Sequence, residues 1–292
     1  MFKIKDLLLE ATKKLRKNNI SQPGLESQII MTNVLNCDRL HVLLNLDKEI
    51  SKKQKKQFEE YINLRAQNYP LAYIIGKKEF MGFEFIISHD VFIPRQETEF
   101  LVEETIKTYS SLPKRKIKRL QIVDIGTGCG NIAISLAKFI PFANITGIDI
   151  SKRSIEIAIL NSKKHNVYNK IKFIQKDFIK FNKAFKSEDK FDFIISNPPY
   201  VSENEFKFLQ REIFYEPKIS LYGGKDGLSF YRQIADFSRK HLQKNGLTIV
   251  ELSYNNSKKV IDIFSQKGLN FVKTVKDYSG FERVAVFTKT NG

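Results

Sequence analysis

Apolar residues recur at helical spacing in the first quarter of the chain, and strand-like alternation follows. Three amphipathic stretches predict helices over about 2–17, 25–36 and 51–68, and Pro23-Gly24 marks the turn between the first two. The segment FMGFEFIIS (80–88) alternates, with Phe83, Phe85 and Ile87 on one face, which predicts a strand in a hairpin. The pattern therefore predicts a helical region that gives way to extended chain.

Strand and helix patterns alternate through the remainder. The predicted strands are 121–125, 144–150, 170–177, 191–197, 247–253, 269–276 and 283–288. The predicted helices are one that ends at about 109, and others at about 130–139, 151–166, 226–243 and 256–266. Alternation on this scale indicates an α/β domain with a mostly parallel sheet and helices on both faces. We predict a helical domain over 1–75, a β-hairpin linker over 76–94 and the α/β domain over 95–292.

Composition excludes several protein classes. The chain has 292 residues, 42% of them hydrophobic and 28% charged, which is typical of globular proteins with one or two cores. No apolar run approaches the roughly 18 residues of a membrane span, and the first residues lack a secretory apolar segment, so we expect a cytoplasmic protein. Two cysteines and four scattered histidines do not make a disulfide framework or a metal site, so no metal is expected.

The formal net charge of +17 leaves two explanations open. A basic surface can bind nucleic-acid phosphates, yet the 49 basic residues include only 11 Arg, the residue that makes bidentate phosphate contacts. The charge is also diffuse, and the densest run, Lys114 to Arg119, is predicted to be a solvated loop. The excess therefore reflects either general lysine enrichment or a surface facing a partner such as an RNA-associated protein.

A glycine-rich loop follows the first strand of the α/β region. The run Asp124-Ile125-Gly126-Thr127-Gly128-Cys129-Gly130 has the spacing G-x-G-x-G, one residue shorter than the dinucleotide fingerprint G-x-G-x-x-G. Asp149 ends the next strand, where a carboxylate can accept both hydrogens of a ribose diol. The alternative is a similar fold whose glycines serve packing alone. The loop and the acid together resemble the class I S-adenosylmethionine-dependent methyltransferases, a Rossmann-like fold.

Asn197-Pro198-Pro199-Tyr200 directly follows a predicted buried strand. Ligands bind at this edge of open α/β sheets, and two prolines give a rigid, extended exit from the strand. The Asn197 side-chain oxygen and the Pro198 carbonyl could accept both hydrogens of a planar amide or arylamine nitrogen, and Tyr200 could stack on it. No general base is required before methyl transfer, because the product nitrogen can lose its proton afterwards. The alternative is a surface turn.

The tetrapeptide alone does not name the substrate polymer. It is shared by DNA adenine, RNA guanine and protein glutamine N-methyltransferases. Several further segments, PLAYIIGKKEFMGFEF, FIPRQETEFLVE, YEPKISLYGGKDGLSFYRQI and DYSGFERV, resemble the PrmC (HemK) family across essentially the whole chain. That family methylates the N5 amide nitrogen of the glutamine in the Gly-Gly-Gln motif of peptide chain release factors.

The resemblance assigns roles to residues of this chain. It implies S-adenosyl-L-methionine as the cofactor, held by Gly126, Thr127, Gly128, Cys129, Gly130, Asp149, Asp177, Phe178 and Asn197. It implies that the substrate glutamine is held by Asn197, Pro198, Pro199 and Tyr200, of which Asn197, Pro198 and Tyr200 would be catalytic. The helical domain would help to bind the release factor.

Three positions depart from the family pattern. The family usually has Pro-Arg-Pro-Glu where this chain has Pro94-Arg95-Gln96-Glu97. Many members have Trp at the position of Phe178, and many have glycine at the position of Ser253. Arg95 and Glu99 could form a salt-bridged wall of the active site or only the start of a helix.

The sequence thus favours a monomeric protein-glutamine N-methyltransferase that acts on release factors. We expect it neither to associate with a membrane nor to act on nucleic acid. The runner-up is an amino-group methyltransferase acting on N6 of adenine or N2 of guanine in RNA or DNA. A non-catalytic RNA-binding adaptor is a third hypothesis, which the intact glycines, Asp149 and Asn197 oppose.

Overall fold

The chain divides into two compact units in a computed structural model, which describes residues 2–112, 119–181, 185 and 189–289. The smaller unit comprises Met1–Lys77 together with Gln210–Tyr215. The larger unit comprises Lys78–Leu209 and Glu216–Gly292. The chain therefore contributes to the smaller unit twice, once at its start and once from a short segment late in the sequence.

Helices dominate the smaller unit. Its elements are β1 (Phe2–Lys3), α1 (Ile4–Lys17), α2 (Pro23–Leu35), α3 (Arg39–Leu44), β2 (Glu49–Ile50), α4 (Lys52–Ala66) and α5 (Leu71–Ile75). Helices α1, α2 and α4 lie where the periodicity predicts them, and their apolar faces meet in a core that includes Ile4, Ile30 and Phe58. Helices α3 and α5 were not predicted, because six and five residues are too few to show a period.

The segment Gln210–Tyr215 is tied to these helices by polar contacts within the smaller unit. Arg65 on α4 is 6% exposed and forms ion pairs with Glu26 on α2 and with Glu212, the latter at 3.1 Å. The Tyr215 hydroxyl donates to the carbonyl of Gln67 at 3.2 Å. A segment that is remote in sequence therefore completes the packing around a buried guanidinium.

The larger unit is built on a seven-stranded sheet, as far as the described residues show. Its strands are β5 (Leu120–Ile125), β6 (Ala143–Asp149), β7 (Ile171–Gln175), β8 (Phe191–Ser196), β9 (Leu242–Glu251), β10 (Asn270–Lys276) and β11 (Glu282–Thr288). The spatial order is β10-β11-β9-β8-β5-β6-β7, in which β5 to β9 are parallel and β10 and β11 are antiparallel. The predicted mostly parallel α/β sheet is confirmed.

Helices precede and connect the strands of this sheet. They are α6 (Glu99–Ser111), α7 (Asn131–Phe139), α8 (Lys152–Lys164), α9 (Phe178–Phe181), α10 (Glu203–Phe206), α11 (Ser229–His241) and α12 (Ser257–Gln266). Consecutive residues of the central strands β5 and β8 are buried, as expected when both faces of a sheet are covered. The helix predicted at 226–243 is shorter than expected, because β9 already begins at Leu242.

The strand predicted over 80–88 is wrong in its extent. The structure has two strands, β3 (Lys77–Phe80) and β4 (Phe83–Ile86), which pair with each other. Met81 and Gly82 both have positive φ, of 53° and 74°, and form the two-residue turn between them. The predicted alternation of buried and exposed residues holds only after this turn, where Phe85 and Ile87 are buried.

Three further sequence expectations concern membrane spans, metal ligands and the basic run. In the described ranges no helix is long and apolar enough to cross a bilayer. The same residues contain no group of three or more His, Cys, Asp or Glu side chains that could hold a metal ion. The basic run 114–119 falls outside the described residues, apart from Arg119, which is exposed.

Candidate active site

The glycine loop and the Asn-Pro-Pro-Tyr tetrapeptide lie side by side because they follow neighbouring parallel strands. Ile125 at the end of β5 is paired with Ser196 at the end of β8, and the Ser196 hydroxyl donates to the Ile125 carbonyl at 2.7 Å. The next residues along each strand are Gly126 and Asn197. A Cβ placed on Gly126 would lie 3.9 Å from the Asn197 carbonyl oxygen. The two motifs that the sequence singled out are thus brought together at one sheet edge.

The loop presents backbone rather than side chains. Gly126 is exposed and Gly128 is half-buried, with φ of 77° and 54°, a region in which side chains are strained. A Cβ on Gly128 would meet nothing within 4 Å, so open space borders the loop here. Thr127 and Cys129 are both 1% exposed. Burial raises the pKa of the Cys129 thiol to about 12, so this group is neutral and unreactive at physiological pH.

Asp149 is locked to the loop. One carboxylate oxygen accepts the Gly128 N–H and the other accepts the Ser151 N–H, both at 2.9 Å. Burial raises its pKa, and backbone hydrogen bonds from Ser151 and Gly128 act in the opposite direction. The predicted ribose-binding acid therefore has a fixed orientation beside the glycine loop, and each oxygen keeps capacity for a further donor.

Asp124, which the sequence analysis left without a role, is the most deeply buried carboxylate near the loop. It is 0% exposed, and one of its oxygens accepts the Thr127 hydroxyl at 2.6 Å. The other oxygen is buried and has no partner among the described residues. Burial raises the pKa of Asp124 to about 7, and the charge of Asp149 adds to this. A buried acceptor without a partner beside the glycine loop is a signal that only the structure could give.

The two residues predicted to contact adenine lie after β7. Asp177 is half-buried, and its carboxylate accepts the Ile179 N–H at 3.0 Å at the start of α9. Phe178 is 6% exposed and packs edge-on against Phe237, with ring centroids 5.3 Å apart. Most of the Phe178 ring is therefore used in the core of the unit, and its contact with an adenine ring stays a prediction.

Asn197 is held through its amide nitrogen. Its Nδ2 donates to Thr98 Oγ1 at 3.0 Å, and its side-chain oxygen has no hydrogen bond among the described residues. Thr98 lies in the short 3₁₀ turn Gln96–Thr98 just before α6 and is 2% exposed. This contact joins residues 99 positions apart in the chain. The oxygen that the substrate-binding hypothesis requires is thus left available.

Glu251 ends β9 and directly follows Val250, which is paired with Ser196 of β8. It is 2% exposed and has one oxygen without a partner in the described parts of the chain. Burial raises its pKa to about 7 and the charge of Glu97 adds to this, while the charges of Arg283 and Arg95 lower it. Neither Thr98 nor Glu251 was predicted from the sequence as part of the site.

The remaining members of the tetrapeptide form a partly buried exit from the sheet. Pro198 is buried, and Pro199 and Tyr200 are half-buried. Burial raises the pKa of the Tyr200 phenol well above its usual value, so the ring is neutral at physiological pH. A neutral aromatic ring at this position can pack on a flat, uncharged group.

A second loop supports the tetrapeptide from behind. The Val201 N–H donates to the Leu221 carbonyl, and the Gly223 N–H donates to the Val201 carbonyl, both at 2.9 Å. A Cβ on Gly223 would lie 2.7 Å from the Pro199 oxygen and 2.8 Å from the Tyr200 Cα, so only glycine allows this approach. Gly223 and Gly227 of YGGKDG therefore allow this loop to pack closely against the tetrapeptide.

Arg95 and Glu99 have separate partners. Arg95 forms an ion pair with Glu216, which is buried and also accepts the Ile93 N–H at 3.1 Å. Glu99 begins α6 and accepts the N–H of Met81 in the hairpin turn at 2.6 Å. Arg95 therefore forms a salt bridge and Glu99 begins a helix, and a role of this salt bridge as a wall of the active site stays a prediction.

Two family models match the chain. The model described as the PrmC N-terminal domain matches residues 6–76, and the model described as a methyltransferase domain matches residues 116–268. A solved methyltransferase structure from Pyrococcus furiosus superposes with a TM-score of 0.51 at 16% identity, covering 82% of this chain and 100% of that one. This likeness shows the class I methyltransferase fold.

Curated relatives match over nearly the full chain. A release factor glutamine methyltransferase from Clostridium acetobutylicum is 35% identical over 285 residues, which cover 97% of this chain and 98% of the relative. A bifunctional methyltransferase from Rickettsia conorii is 36% identical over 308 residues, covering 99% of this chain. The matched region spans only 58% of that Rickettsia protein.

Proposed function

Because the chain belongs to the family of release factor glutamine methyltransferases, we propose that it transfers a methyl group from S-adenosyl-L-methionine to the N5 amide of the glutamine in the Gly-Gly-Gln motif of peptide chain release factors. One observation carries the proposal: Gly126 adjoins Asn197 at the ends of two paired strands. A methyl donor at the loop and an amide at the tetrapeptide would then be neighbours, which supplies much of the rate acceleration by orientation alone.

The loop has the properties that the proposed cofactor requires. Open space borders Gly128, Asp149 offers two fixed acceptors, and Asp124 has a buried oxygen without a described partner. The residues proposed to hold the cofactor are Gly126, Thr127, Gly128, Cys129, Gly130, Asp149, Asp177, Phe178 and Asn197. S-adenosyl-L-methionine supplies an electrophilic methyl group on a sulfonium centre.

Asn197 and Pro198 would hold the substrate amide. A carboxamide nitrogen is a poor nucleophile because its lone pair is delocalised into the carbonyl group. Two acceptors, the Asn197 side-chain oxygen and the Pro198 carbonyl, would stabilise the positive charge that develops on this nitrogen during attack. Tyr200, being neutral, would pack on the flat face of the amide, and Pro199 would keep the exit from β8 rigid.

The helical domain, predicted over 1–75, is proposed to bind the release factor. Helix α3 offers apolar side chains for such a contact: Leu40 is 64% exposed and Leu44 is 74% exposed. Large exposed apolar residues that cluster on one element are common at protein interfaces. The hairpin linker (76–94) and the catalytic domain (95–292) complete the proposed division, in a monomer that works in the cytoplasm, where release factors act.

A labelling experiment tests the substrate. With S-adenosyl-L-methionine carrying a labelled methyl group, we expect label on a bacterial release factor and none on a variant in which the Gly-Gly-Gln glutamine is replaced by alanine. Equal labelling of that variant would overturn the glutamine assignment. Label on tRNA or DNA instead would support the nucleic-acid alternative, to which the charge of +17 points. A protein without heat or thermal shift on cofactor addition would be the non-catalytic adaptor.

A further inference from the structure

We propose that Asn161, on α8, is a positioning residue for the glycine loop: it binds the Cys129 carbonyl and so holds the loop in the conformation that receives S-adenosyl-L-methionine. The inference rests on the proposed function for the identity of the cofactor. It goes beyond that function by adding a residue outside the loop, 32 positions after Cys129 in the chain.

Asn161 uses its whole side-chain amide in three hydrogen bonds to backbone groups. Its Nδ2 donates to the carbonyls of Cys129 and Ile86, both at 3.0 Å, and its Oδ1 accepts the Ile86 N–H at 2.7 Å. A backbone carbonyl only accepts and a backbone N–H only donates, so turning the amide by half a turn would break all three bonds. The partners therefore determine that Asn161 directs a donor at Cys129.

This bond completes the fixing of one peptide group in the glycine loop. The Gly130 N–H donates to the Thr127 carbonyl at 2.8 Å. The Cys129 carbonyl belongs to the same planar peptide group and points the opposite way, toward Asn161. Rotation of this peptide group would break both bonds, so the turn over 127–130 is held from two sides.

The loop has little conformational preference of its own. Gly126, Gly128 and Gly130 all have positive φ, of 77°, 54° and 84°. Glycine loses more conformational freedom on ordering than any other residue. A loop that is already held in one conformation loses less freedom when a ligand binds, which raises affinity. We therefore expect Asn161 to act on cofactor affinity and not on the rate of methyl transfer.

The face of α8 that carries Asn161 packs directly on the loop. Ala158 and Asn161 are three positions apart, which places them on one face of the helix, and both are 0% exposed. A Cβ on Gly130 would lie 3.1 Å from the Ala158 Cβ, so the loop and the helix are in close contact. Because Cys129 is also buried, water does not compete for its bond with Asn161.

Replacing Asn161 tests the proposal through the affinity for the cofactor. Asn161→Leu removes every hydrogen-bonding group at similar size, and we expect the Kd for S-adenosyl-L-methionine, measured by calorimetry, to rise about 5- to 50-fold. At saturating cofactor, kcat on a release factor should stay within a few-fold of wild type. Asn161→Ala, which adds no bulk, should raise the Kd in the same direction. An unchanged Kd in both variants would overturn the proposal.

Two residues on the same helix provide matched controls. Ser162 is as buried as Asn161, but its hydroxyl donates to the Ile159 carbonyl within α8, at 2.8 Å. His165 Nε2 donates to the Glu84 carbonyl of β4 at 3.0 Å, so it binds the same hairpin strand as Asn161 without a bond to the glycine loop. Ser162→Ala and His165→Leu should keep the Kd within two-fold of wild type. An increase like that of Asn161→Leu would overturn the specific role of Asn161.

A third control separates positioning from a general loss of stability. Phe264 on α12 is fully buried and stacks on Phe287 of β11, three strands away from β5, which leads into the glycine loop. Phe264→Leu should lower the midpoint of thermal unfolding and leave the Kd for the cofactor within two-fold at a temperature where the protein is folded. A Kd that rose in proportion to lost stability in every variant would contradict the proposal.

Hydrogen exchange reads the loop without cofactor or substrate. Cys129-Gly130 is the one Cys-Gly pair in the sequence, so labelling cysteine with 13C and glycine with 15N isolates the signal of the Gly130 N–H. We expect slow exchange in the wild type, at least 10-fold faster exchange in Asn161→Leu, and no change in Ser162→Ala. Fast exchange already in the wild type would overturn the proposal without any variant. A failure to methylate any release factor would instead refute only the proposed function.

Discussion

Asn197 has two hydrogen-bonding ends, and the protein engages one of them. The nitrogen is bonded to Thr98, and the oxygen stands where β8 ends beside the glycine loop. The nitrogen of this side chain thus holds its position, and the oxygen is available for the proposed reaction. In the proposed reaction its loss would remove an acceptor that matters in the transition state, whereas the loop and Asp149 would still hold the cofactor.

We therefore expect Asn197→Ala to lower kcat by about 10²- to 10³-fold with release factor as substrate, the range seen when one transition-state hydrogen bond is lost. Binding of S-adenosyl-L-methionine, measured by calorimetry, should change by only a few-fold. Asn144→Ala is the control, since Asn144 lies near the start of β6, at the opposite end of the parallel strands from Asn197. Turnover that is unchanged in Asn197→Ala would remove this residue from the mechanism.

Asp124 gives the protein a pH dependence of known sign. Its pKa is raised to about 7 by burial, from an ordinary value of 3.8, so the folded state binds the proton more tightly than the unfolded chain. The contribution of this group to stability is therefore complete below about pH 4 and is lost as the pH rises through about 7.

Asp124→Asn cannot ionise and should remove this slope, which is about 1.4 kcal/mol of unfolding free energy per pH unit for one proton. The variant should then be more stable than the wild type at pH 8, as measured by urea denaturation at a series of pH values. Asp226→Asn is the control: Arg232 lowers the pKa of Asp226 to about 2, so this group stays charged throughout the window. A wild-type slope in Asp124→Asn would contradict the assignment.

At this scale the sequence predicted what is adjacent to a strand end and missed what is assembled across elements. Gly126, Asp149 and Asn197 were found because parallel strands deliver such residues to one edge. Thr98 carries no local pattern, and its contact with Asn197 forms only after the turn before α6 has packed beside the end of β8. The inward packing of Phe178 on Phe237 was likewise not visible from the chain.

Among the elements, long periodic segments were predictable and short or interrupted ones were not. The parallel strands showed continuous apolar runs because both faces of the sheet are covered. The hairpin was misread because a two-residue turn at Met81 and Gly82 falls inside the alternation and leaves its phase almost undisturbed. The loop Leu221–Gly227, which supports the tetrapeptide, has neither period nor length, so its role could not be inferred from a pattern.

Two glycines with nearly equal backbone angles allow a test of this supporting loop. Gly227 has φ of 75° and a Cβ there would overlap the Tyr200 carbonyl oxygen, whereas Gly268 has φ of 78° and nothing within 4 Å. Alanine at either position incurs backbone strain of about 1–2 kcal/mol. Only Gly227→Ala adds the overlap, at about 1–3 kcal/mol more, and displaces Tyr200.

We therefore expect Gly227→Ala to be the less stable variant in thermal denaturation and to lose kcat, while Gly268→Ala loses stability alone. Equal effects of the two substitutions on kcat would mean that the loop does not position the tetrapeptide.

For the whole molecule, the order of elements was sufficient to predict an α/β sheet preceded by helices, because βαβ connections follow chain order. The net charge was less informative. It is spread over both units, and it does not by itself identify a partner. The grouping of Gln210–Tyr215 with the first 77 residues could not be predicted, since nothing in that segment marks it as belonging elsewhere.

That grouping limits how relatives of this protein can be recombined. A chimera that exchanged only Met1–Lys77 would carry a foreign Arg65 environment opposite the host's Glu212 and Tyr215. Two stretches that are more than 130 residues apart in the chain must therefore be exchanged together when domains are recombined. A chimera that exchanges both stretches together should be more stable to unfolding than one that exchanges Met1–Lys77 alone.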